Sequence, residues 1–253
     1  MRTHSPVLPT LPANLSDQVR IALIDRSGQL LLRDLKDDLD AEVLVAARAS
    51  RRFPGYRGKR NYNGSYWSRT TRTLIGFESL LEREAIMLLD FDPTVAVIVA
   101  QPFALLWPKS ASHHFPDLLV RHVDGSIAVV DVRALPLLDG KATRQFDLTR
   151  RALTHVGWGY TVYTGSAEPL AQNLTFLAGF RKHGFDPEPR LVAALHAAFD
   201  PPARLDAGIA AAAAITKRDD RLIRTGALSM LWTHQLHADL TSASLSDASV
   251  VWT

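Results

Sequence analysis

Two aspartates in the middle of the chain have a spacing that suits metal-ion chemistry. Asp117 follows a proline at the start of the apolar run Phe115–Val120. Asp131 lies within Ser126–Ala134, a run rich in β-branched residues. If the two runs form one hairpin that turns at Asp124-Gly125, both carboxylates come to one place. Because Mg²⁺ and Mn²⁺ prefer carboxylate oxygens, the spacing predicts a divalent-cation site.

The second of these runs also carries an arginine. Residues two apart on a strand share a face, so Asp131 and Arg133 should point the same way. A charge among β-branched residues is costly unless it is paired, hydrogen-bonded or bound to a metal. This position therefore favours a functional role for Asp131.

A helix predicted over Phe77–Asp90 supplies two more acids. At about 100° per residue, Glu78 and Glu82 fall beside the apolar stripe, whereas Arg83 and Asp90 fall on the opposite, solvent-facing side. The stripe consists of Phe77, Leu81, Ala85, Leu88 and Leu89. Two interpretations of the glutamates stay open at this point. They either bind a metal, or they form a helix edge that reaches solvent or an arginine.

The elements that would position these acids predict an α/β fold with a mixed sheet flanked by helices. Their order is α-β-β-β-α-β-α, from Phe77–Asp90 through strands at Val95–Trp107 (bent at Pro102), Phe115–His122 and Ile127–Leu135, a helix at Lys141–Val156, a strand at Tyr160–Tyr163 and a helix at Pro169–Arg181.

The flanking segments complete a division into residues 1–73, 74–185 and 186–253. The first part should hold a hairpin over Val19–Leu32, a short helix near Asp40–Arg48 and a basic aromatic segment, Arg51–Arg72. That segment has seven Lys/Arg, five aromatic residues and no acid, which favours an exposed loop. The last part should hold further helices and a terminal hairpin, His237–Thr253, an order typical of a small winged-helix-like domain.

The composition restricts the class of protein. The chain has 253 residues, 47% hydrophobic and 22% charged residues, a net charge of +3 and no cysteine, which excludes disulfides and thiolate metal sites. We find no signal peptide, membrane span, nucleophile elbow, phosphate-binding P-loop or dinucleotide glycine signature, so we expect a cytoplasmic protein with no membrane partner.

Taken together, the motifs resemble the TnsA-like endonuclease subunits of heteromeric transposases, within the PD-(D/E)xK nuclease superfamily. The resemblance covers residues 74–180 and rests on the runs Glu78–Glu82, Leu89–Val95, Gln101-Pro102, Phe115–Asp117 and Val130–Arg133. It implies a restriction-endonuclease-like core, followed by a winged-helix domain. It also implies hydrolysis of double-stranded DNA at transposon 5′ ends, with a DDE-type transposase and an ATP-dependent regulator as partners.

The resemblance also assigns roles at this chain's own positions. Mg²⁺ or Mn²⁺ would be held by Glu82, Asp117, Asp131 and the Val132 carbonyl, with Arg133 completing the catalytic set. Glu78 and Gln101 would be supporting residues. Arg133 departs from the family, which has lysine there. Since arginine positions phosphate or water but effectively cannot deprotonate, the site is either active with arginine in the positioning role or slow to cut, if it cuts at all.

Other basic and histidine residues have candidate roles. Within the basic aromatic segment, the residues predicted to contact DNA phosphates are Arg57, Lys59, Arg60, Arg69 and Arg72. His113 and His114 precede Asp117, and we interpret them as strand-entry residues near the site rather than as metal ligands.

The main hypothesis is a metal-dependent DNA endonuclease. The alternatives are a DNA-binding, partner-recruiting subunit with a decayed nuclease site, and a defence nuclease with the same core.

Overall fold

The computed structural model describes residues 11, 13–36, 39, 41–47, 49 and 62–253. The described chain forms two compact units, and the predicted mixed α/β class is confirmed. The first unit comprises the described residues up to Asp90 together with Thr94–Gly165, and the second comprises Phe91–Pro93 and Ser166–Thr253. The boundaries predicted after residues 73 and 185 stay predictions. No helix of the described chain combines the length and the apolar character needed to cross a membrane.

The first unit contains most of the strands. Its elements are β1 (Arg20–Ile24), β2 (Leu30–Asp34), α1 (Ala41–Val45), β3 (Gly64–Ser68), β4 (Thr73–Phe77), α2 (Leu80–Phe91, the last residue belonging to the second unit), β5 (Val95–Ala100), β6 (Ala104–Leu106), β7 (His113–His114), β8 (Leu118–His122), β9 (Ile127–Val132), α3 (Gly140–His155) and β10 (Gly159–Tyr163).

The central sheet has the order β10-β9-β8-β5. Its β5–β8 and β8–β9 pairs are antiparallel, and its β9–β10 pair is parallel. The parallel pair needs a crossover, which α3 provides by packing on β10. The two helices α2 and α3 and the strands of this sheet therefore follow the α-β-β-β-α-β order predicted from the sequence, whereas β6 and β7 belong to another sheet.

A second sheet has the order β2-β1-β6-β7. The predicted strand Val95–Trp107 is divided between the two sheets, as β5 in the central sheet and β6 in the second. The break falls at Gln101-Pro102, because proline has no N–H for a ladder and Gln101 has a left-handed φ of 48°. The hairpin predicted over Val19–Leu32 is confirmed as β1–β2. Between β1 and α3 lies the main core of this unit, which includes Ile21, Leu23, Phe103, Leu119, Val129 and Leu153.

A separate two-stranded sheet corrects the prediction for the basic aromatic segment. Residues 64–68 form β3, which pairs with β4, whereas an exposed loop was expected; residues 50–61 lie outside the described residues. Tyr66 and Ser68 alternate along β3 and are both buried. The loop prediction was wrong here because composition does not show that alternate residues of the strand meet a polar partner in the interior.

That partner is Asp90, which was expected on the solvent side of its helix and is only 5% exposed. Its carboxylate accepts hydrogen bonds from the Tyr66 hydroxyl (3.0 Å), the Ser68 hydroxyl (2.6 Å) and the backbone N–H groups of Arg69 (3.1 Å) and Thr70 (2.9 Å). The turn between β3 and β4 is thereby fixed to the end of α2.

We expect Asp90→Asn to lower the free energy of unfolding by about 2–3 kcal/mol, because an amide cannot accept four hydrogen bonds as a carboxylate does. Urea denaturation measures the effect. The matched control is Asp147→Asn on α3, where the side chain is 50% exposed and pairs with Arg150. Its cost should stay below about 1 kcal/mol. Equal losses in the two variants would contradict the structural role of Asp90.

The second unit consists of α4 (Leu170–Leu177), α5 (Pro189–Ala198), β11 (Ala203–Arg204), α6 (Leu205–Thr216), α7 (Asp220–Trp232), β12 (His237–Ala238) and β13 (Val250–Trp252). The terminal hairpin is confirmed as β12–β13, and β11 completes a sheet in the order β11-β13-β12. Helices α5 and α6 pack closely because Gly208 lies against the buried Phe199 ring, where a Cβ atom would fall 2.1 Å from a ring carbon.

Candidate acidic site

The predicted acids line one cavity of the first unit, with a volume of about 420 Å³. The residues around it are Glu78, Glu82, His113, His114, Phe115, Asp117, Asp131, Val132, Arg133 and Phe146. A larger cavity of about 800 Å³, beside Trp107 and Arg151, has Asp17 as its one acidic lining residue. The smaller cavity is therefore the candidate site, because it gathers four carboxylates and a guanidinium group.

The two aspartates are joined through the backbones of neighbouring strands. Asp117 precedes β8, whose first residue, Leu118, pairs with Val130 on β9. A carboxylate oxygen of Asp117 accepts the Val132 backbone N–H at 2.7 Å, and a carboxylate oxygen of Asp131 accepts the Asp117 backbone N–H at 3.3 Å. Each acid thus fixes the strand that carries the other.

Asp131 is 1% exposed and lies on the inward face of β9, with Ile127 and Val129. Its Oδ2 atom accepts from His114 Nε2 at 2.8 Å and from the Tyr160 hydroxyl at 2.5 Å. Burial, followed by the neighbouring Asp131 charge, raises the pKa of the Tyr160 phenol. The phenol therefore stays protonated and serves as a donor to Asp131.

Glu82 takes part in starting α2. Its backbone N–H donates to the Ser79 hydroxyl at 3.1 Å, while its carboxylate accepts from that hydroxyl at 3.2 Å and from the Glu78 backbone N–H at 2.7 Å. This reciprocal pattern is close to a capping box, which the Ser-x-x-Glu spacing signals in the sequence. The carboxylate still lines the cavity, since each oxygen has more than one acceptor direction.

Arg133 and Gln101 approach the site in different ways. Arg133 follows β9, lines the cavity and donates from Nε to the Leu137 carbonyl at 3.0 Å. Gln101 is 2% exposed and donates its backbone N–H to the Asp117 carbonyl at 2.7 Å. Its left-handed backbone costs about 1 kcal/mol or more, and such strain is found at functional sites. Gln101 therefore holds the backbone of Asp117.

Of the predicted DNA-contacting residues, Arg69 and Arg72 are described, and they are not brought to the cavity. Arg57, Lys59 and Arg60 lie outside the described residues. Arg69 and Arg72 lie in the turn between β3 and β4, and β4 leads from that turn to Glu78. At about 3.3 Å per strand residue, the turn is roughly 15–20 Å from the cavity.

The chemistry of the donors fits a hard divalent cation better than their present positions do. Carboxylate oxygens and a backbone carbonyl are ligands that Mg²⁺ and Mn²⁺ accept. Among the described residues, however, no three side chains of His, Asp or Glu converge closely enough to hold a metal ion. The donor types match the predicted cofactor, and closure around a cation would need side-chain movement.

Sequence reasoning missed Tyr160 as a member of the site and underrated His114. Tyr160 lies on β10, and its hydroxyl reaches Asp131 across 29 positions of sequence. No local spacing signals that contact. For His114, the signal was its place three residues before Asp117, but the partner that gives it a role lies 17 positions away.

Comparison with protein-family models finds no match, and comparison with curated proteins finds no significant match.

We expect Tyr160→Phe to lower the free energy of unfolding by about 1–2 kcal/mol at pH 8, because it removes a hydrogen bond to a carboxylate. A raised phenol pKa stabilises the fold fully below the ordinary value of about 10, and this contribution is lost as pH rises from there through the raised value. Urea titrations at pH 8 and pH 11 should therefore show the difference between wild type and variant narrowing. A difference independent of pH would contradict the hydrogen-bonded phenol.

Proposed function

We propose that the protein is a divalent-metal-dependent DNA endonuclease, similar to the TnsA-like subunits that act beside a DDE-type transposase. One observation carries the proposal: the carboxylates of Glu78, Glu82, Asp117 and Asp131 line a single cavity together with Arg133. An acidic cluster joined to a guanidinium group suits hydrolysis of a phosphodiester, where a cation and a fixed positive charge stabilise the developing negative charge.

The arrangement of the elements supports this reading. With β6 and β7 placed in a separate sheet, the order α2-β5-β8-β9-α3-β10 agrees with the α-β-β-β-α-β order expected of a restriction-endonuclease-like core. Asp117 and Asp131 lie where the β8–β9 pair ends, and the start of α2 faces the same cavity. These are the positions at which the resemblance places a helical glutamate and two strand-borne acids.

Asp117 and Glu82 are the side chains that would hold Mg²⁺ or Mn²⁺, with the Val132 carbonyl beside them. Asp117 is partly exposed towards the cavity, and Glu82 approaches it from the first turn of α2. When bound, the cation would lower the pKa of a bound water and stabilise charge on the phosphate. Glu78 adds negative charge that raises the affinity of the cavity for a cation.

Arg133 would take the place of the lysine that is usual in the family. Its guanidinium group can donate two parallel hydrogen bonds to phosphate oxygens, which fixes the scissile phosphate in the cavity. The hydrogen bond from Nε to the Leu137 carbonyl holds the base of the group and leaves its outer nitrogens to reach the ligand. Positioning and charge stabilisation therefore come from arginine, and deprotonation of water must come from another group.

DNA contacts outside the cavity would come from the turn between β3 and β4. Asp90 holds the backbone of Arg69 in this turn, and Arg72 is exposed there. A distance of roughly 15–20 Å from the cavity is within one turn of B-DNA, about 34 Å, so the turn can bind phosphates beside the cleaved bond.

The second unit would serve mainly as a docking module for a protein partner. From α5 onward its order is helix, strand, two helices and two strands, which agrees with the expectation of a winged-helix-like domain. The basic residues near the start of α7 are partly neutralised, since Arg218 pairs with Glu188 at 3.0 Å and Arg224 with Asp247 at 2.6 Å. These pairs reduce the charge available to DNA phosphates and favour a protein surface as the partner.

A second candidate function is DNA binding and partner recruitment without cleavage. It is favoured by the lack of three converging metal-binding side chains among the described residues and by arginine at position 133. Under this alternative, the acids would hold the strand ends together and the basic turn would bind DNA.

Nicking of supercoiled plasmid with Mn²⁺ tests the endonuclease proposal, with and without the transposase subunit. We expect wild-type protein to nick and Asp117→Asn to reduce the rate by at least about 100-fold, as loss of one preorganised charged group typically does. The matched control is Asp124→Asn, in the exposed turn at the other end of β8–β9, which should cut like wild type. Unchanged cutting by Asp117→Asn would sink the assignment.

The same assay separates the two candidate functions. If wild type binds DNA without nicking and Arg133→Lys acquires Mn²⁺-dependent nicking, the non-cleaving function is the correct one. If Arg133→Lys cuts no better than a cutting wild type, arginine is a working member of the site.

A further inference from the structure

We infer that Asp131 is a positioning residue that fixes His114 and the backbone of Asp117, rather than a direct ligand of the metal. The inference deepens the proposed function and rests on it for the location of the metal. It departs from the role that the sequence resemblance gave to Asp131.

The first reason is that the carboxylate of Asp131 is already occupied by protein donors. Its Oδ2 atom accepts from His114 Nε2 at 2.8 Å and from the Tyr160 hydroxyl at 2.5 Å, which uses both acceptor directions of that oxygen. Its Oδ1 atom accepts the Asp117 backbone N–H at 3.3 Å. A cation bound directly to Asp131 would have to displace or distort these contacts.

The second reason is burial. The side chain of Asp131 is 2% exposed and that of His114 is 16% exposed, although both belong to the lining of the cavity. Asp117, by contrast, is partly exposed as a whole residue. A hydrated cation entering the cavity therefore meets Asp117 and the His114 ring before it meets the Asp131 carboxylate.

The contact with Asp131 also determines which ring nitrogen of His114 carries a hydrogen. A carboxylate only accepts hydrogen bonds, so the hydrogen in this contact sits on His114 Nε2. The ring is held on a second side by the edge of Phe146, with the ring centroids 6.3 Å apart. Within the described chain His114 Nδ1 has no hydrogen-bond partner. Because Asp131 and Phe146 hold the ring, this nitrogen keeps one orientation for a ligand that enters the cavity.

A carboxylate that orients a histidine at a metal or phosphate site is a recognised arrangement, in which the outer residue fixes the tautomer and the angle of the ring. Here Asp131 positions two groups. It orients the His114 ring through Oδ2, and it holds the backbone that carries Asp117 through Oδ1. Tyr160 completes the arrangement by fixing the carboxylate itself.

The test titrates Mn²⁺ alone into the full chain and measures the concentration of the free ion by electron paramagnetic resonance. Asp117→Asn should weaken Mn²⁺ binding by at least about tenfold, because it removes a charged ligand. Asp131→Asn keeps one acceptor oxygen for His114 but loses a charge near the ion and an acceptor for the Asp117 N–H, so it should weaken Mn²⁺ binding by a smaller factor than Asp117→Asn does. A loss for Asp131→Asn as large as that for Asp117→Asn would overturn the inference.

Nitrogen-15 NMR of the histidine side chains gives a second readout that needs no metal. We expect His114, assigned by comparison with His114→Asn, to carry its hydrogen on Nε2 in wild type and in Asp131→Asn. In Asp131→Ala the Nε2 hydrogen loses its acceptor and should exchange faster with solvent, with circular dichroism confirming that the variant is folded. If Asp131→Ala does not fold, Asp131→Leu takes its place.

The two readouts separate failure of the inference from failure of the proposed function. A wild-type protein that binds no Mn²⁺ but has a slowly exchanging hydrogen on His114 Nε2 would contradict the metal site while supporting the positioning role. Wild-type His114 with its hydrogen on Nδ1, or an Nε2 hydrogen that exchanges no faster in a folded Asp131→Ala or Asp131→Leu variant, would overturn the positioning role whatever the metal does.

Discussion

The candidate site depends on the reciprocal hydrogen bonding between the ends of β8 and β9. The Asp117 carboxylate accepts the Val132 N–H, and the Asp131 carboxylate accepts the Asp117 N–H. Charged acceptors of this kind stabilise a strand end more than neutral ones do. Burial of a carboxylate is costly, however, unless several hydrogen-bond donors surround it. The chain meets that condition with residues from β7 and β10, namely His114 and Tyr160.

A similar solution recurs at the far end of α2. Asp90 is buried and surrounded by four donors from the β3–β4 hairpin, just as Asp131 is surrounded by donors from neighbouring strands. In one case the hydrogen bonds fix a basic turn, and in the other they fix the acidic cavity. Both the proposed DNA-contacting surface and the proposed catalytic surface of this unit are thus held by buried carboxylates.

The sequence allowed the order of elements around the site to be predicted because that order depends on local patterns. A run of β-branched residues marks β9, the Asp-Gly turn marks the β8–β9 hairpin, and Pro102 marks the break before β6. The closeness of the four acids could be predicted for the same reason, since each stands in a recognisable run, and they line one cavity. The burial of Asp90 could not, because its donors belong to a hairpin about 20 residues earlier. Nor could the Tyr160 contact, which depends on the parallel pairing of β9 with β10.

The central claim is that the cavity beside Asp117 binds a divalent cation, and diffraction from a crystal soaked in Mn²⁺ tests it most directly. We expect one anomalous-difference peak within about 2.0–2.3 Å of a carboxylate oxygen of Asp117, a distance typical of a hard cation with an oxygen ligand. Glu82 should be the second protein carboxylate at the ion. A well-ordered cavity without a peak, under conditions in which Mn²⁺ binds elsewhere on the protein, would contradict the claim.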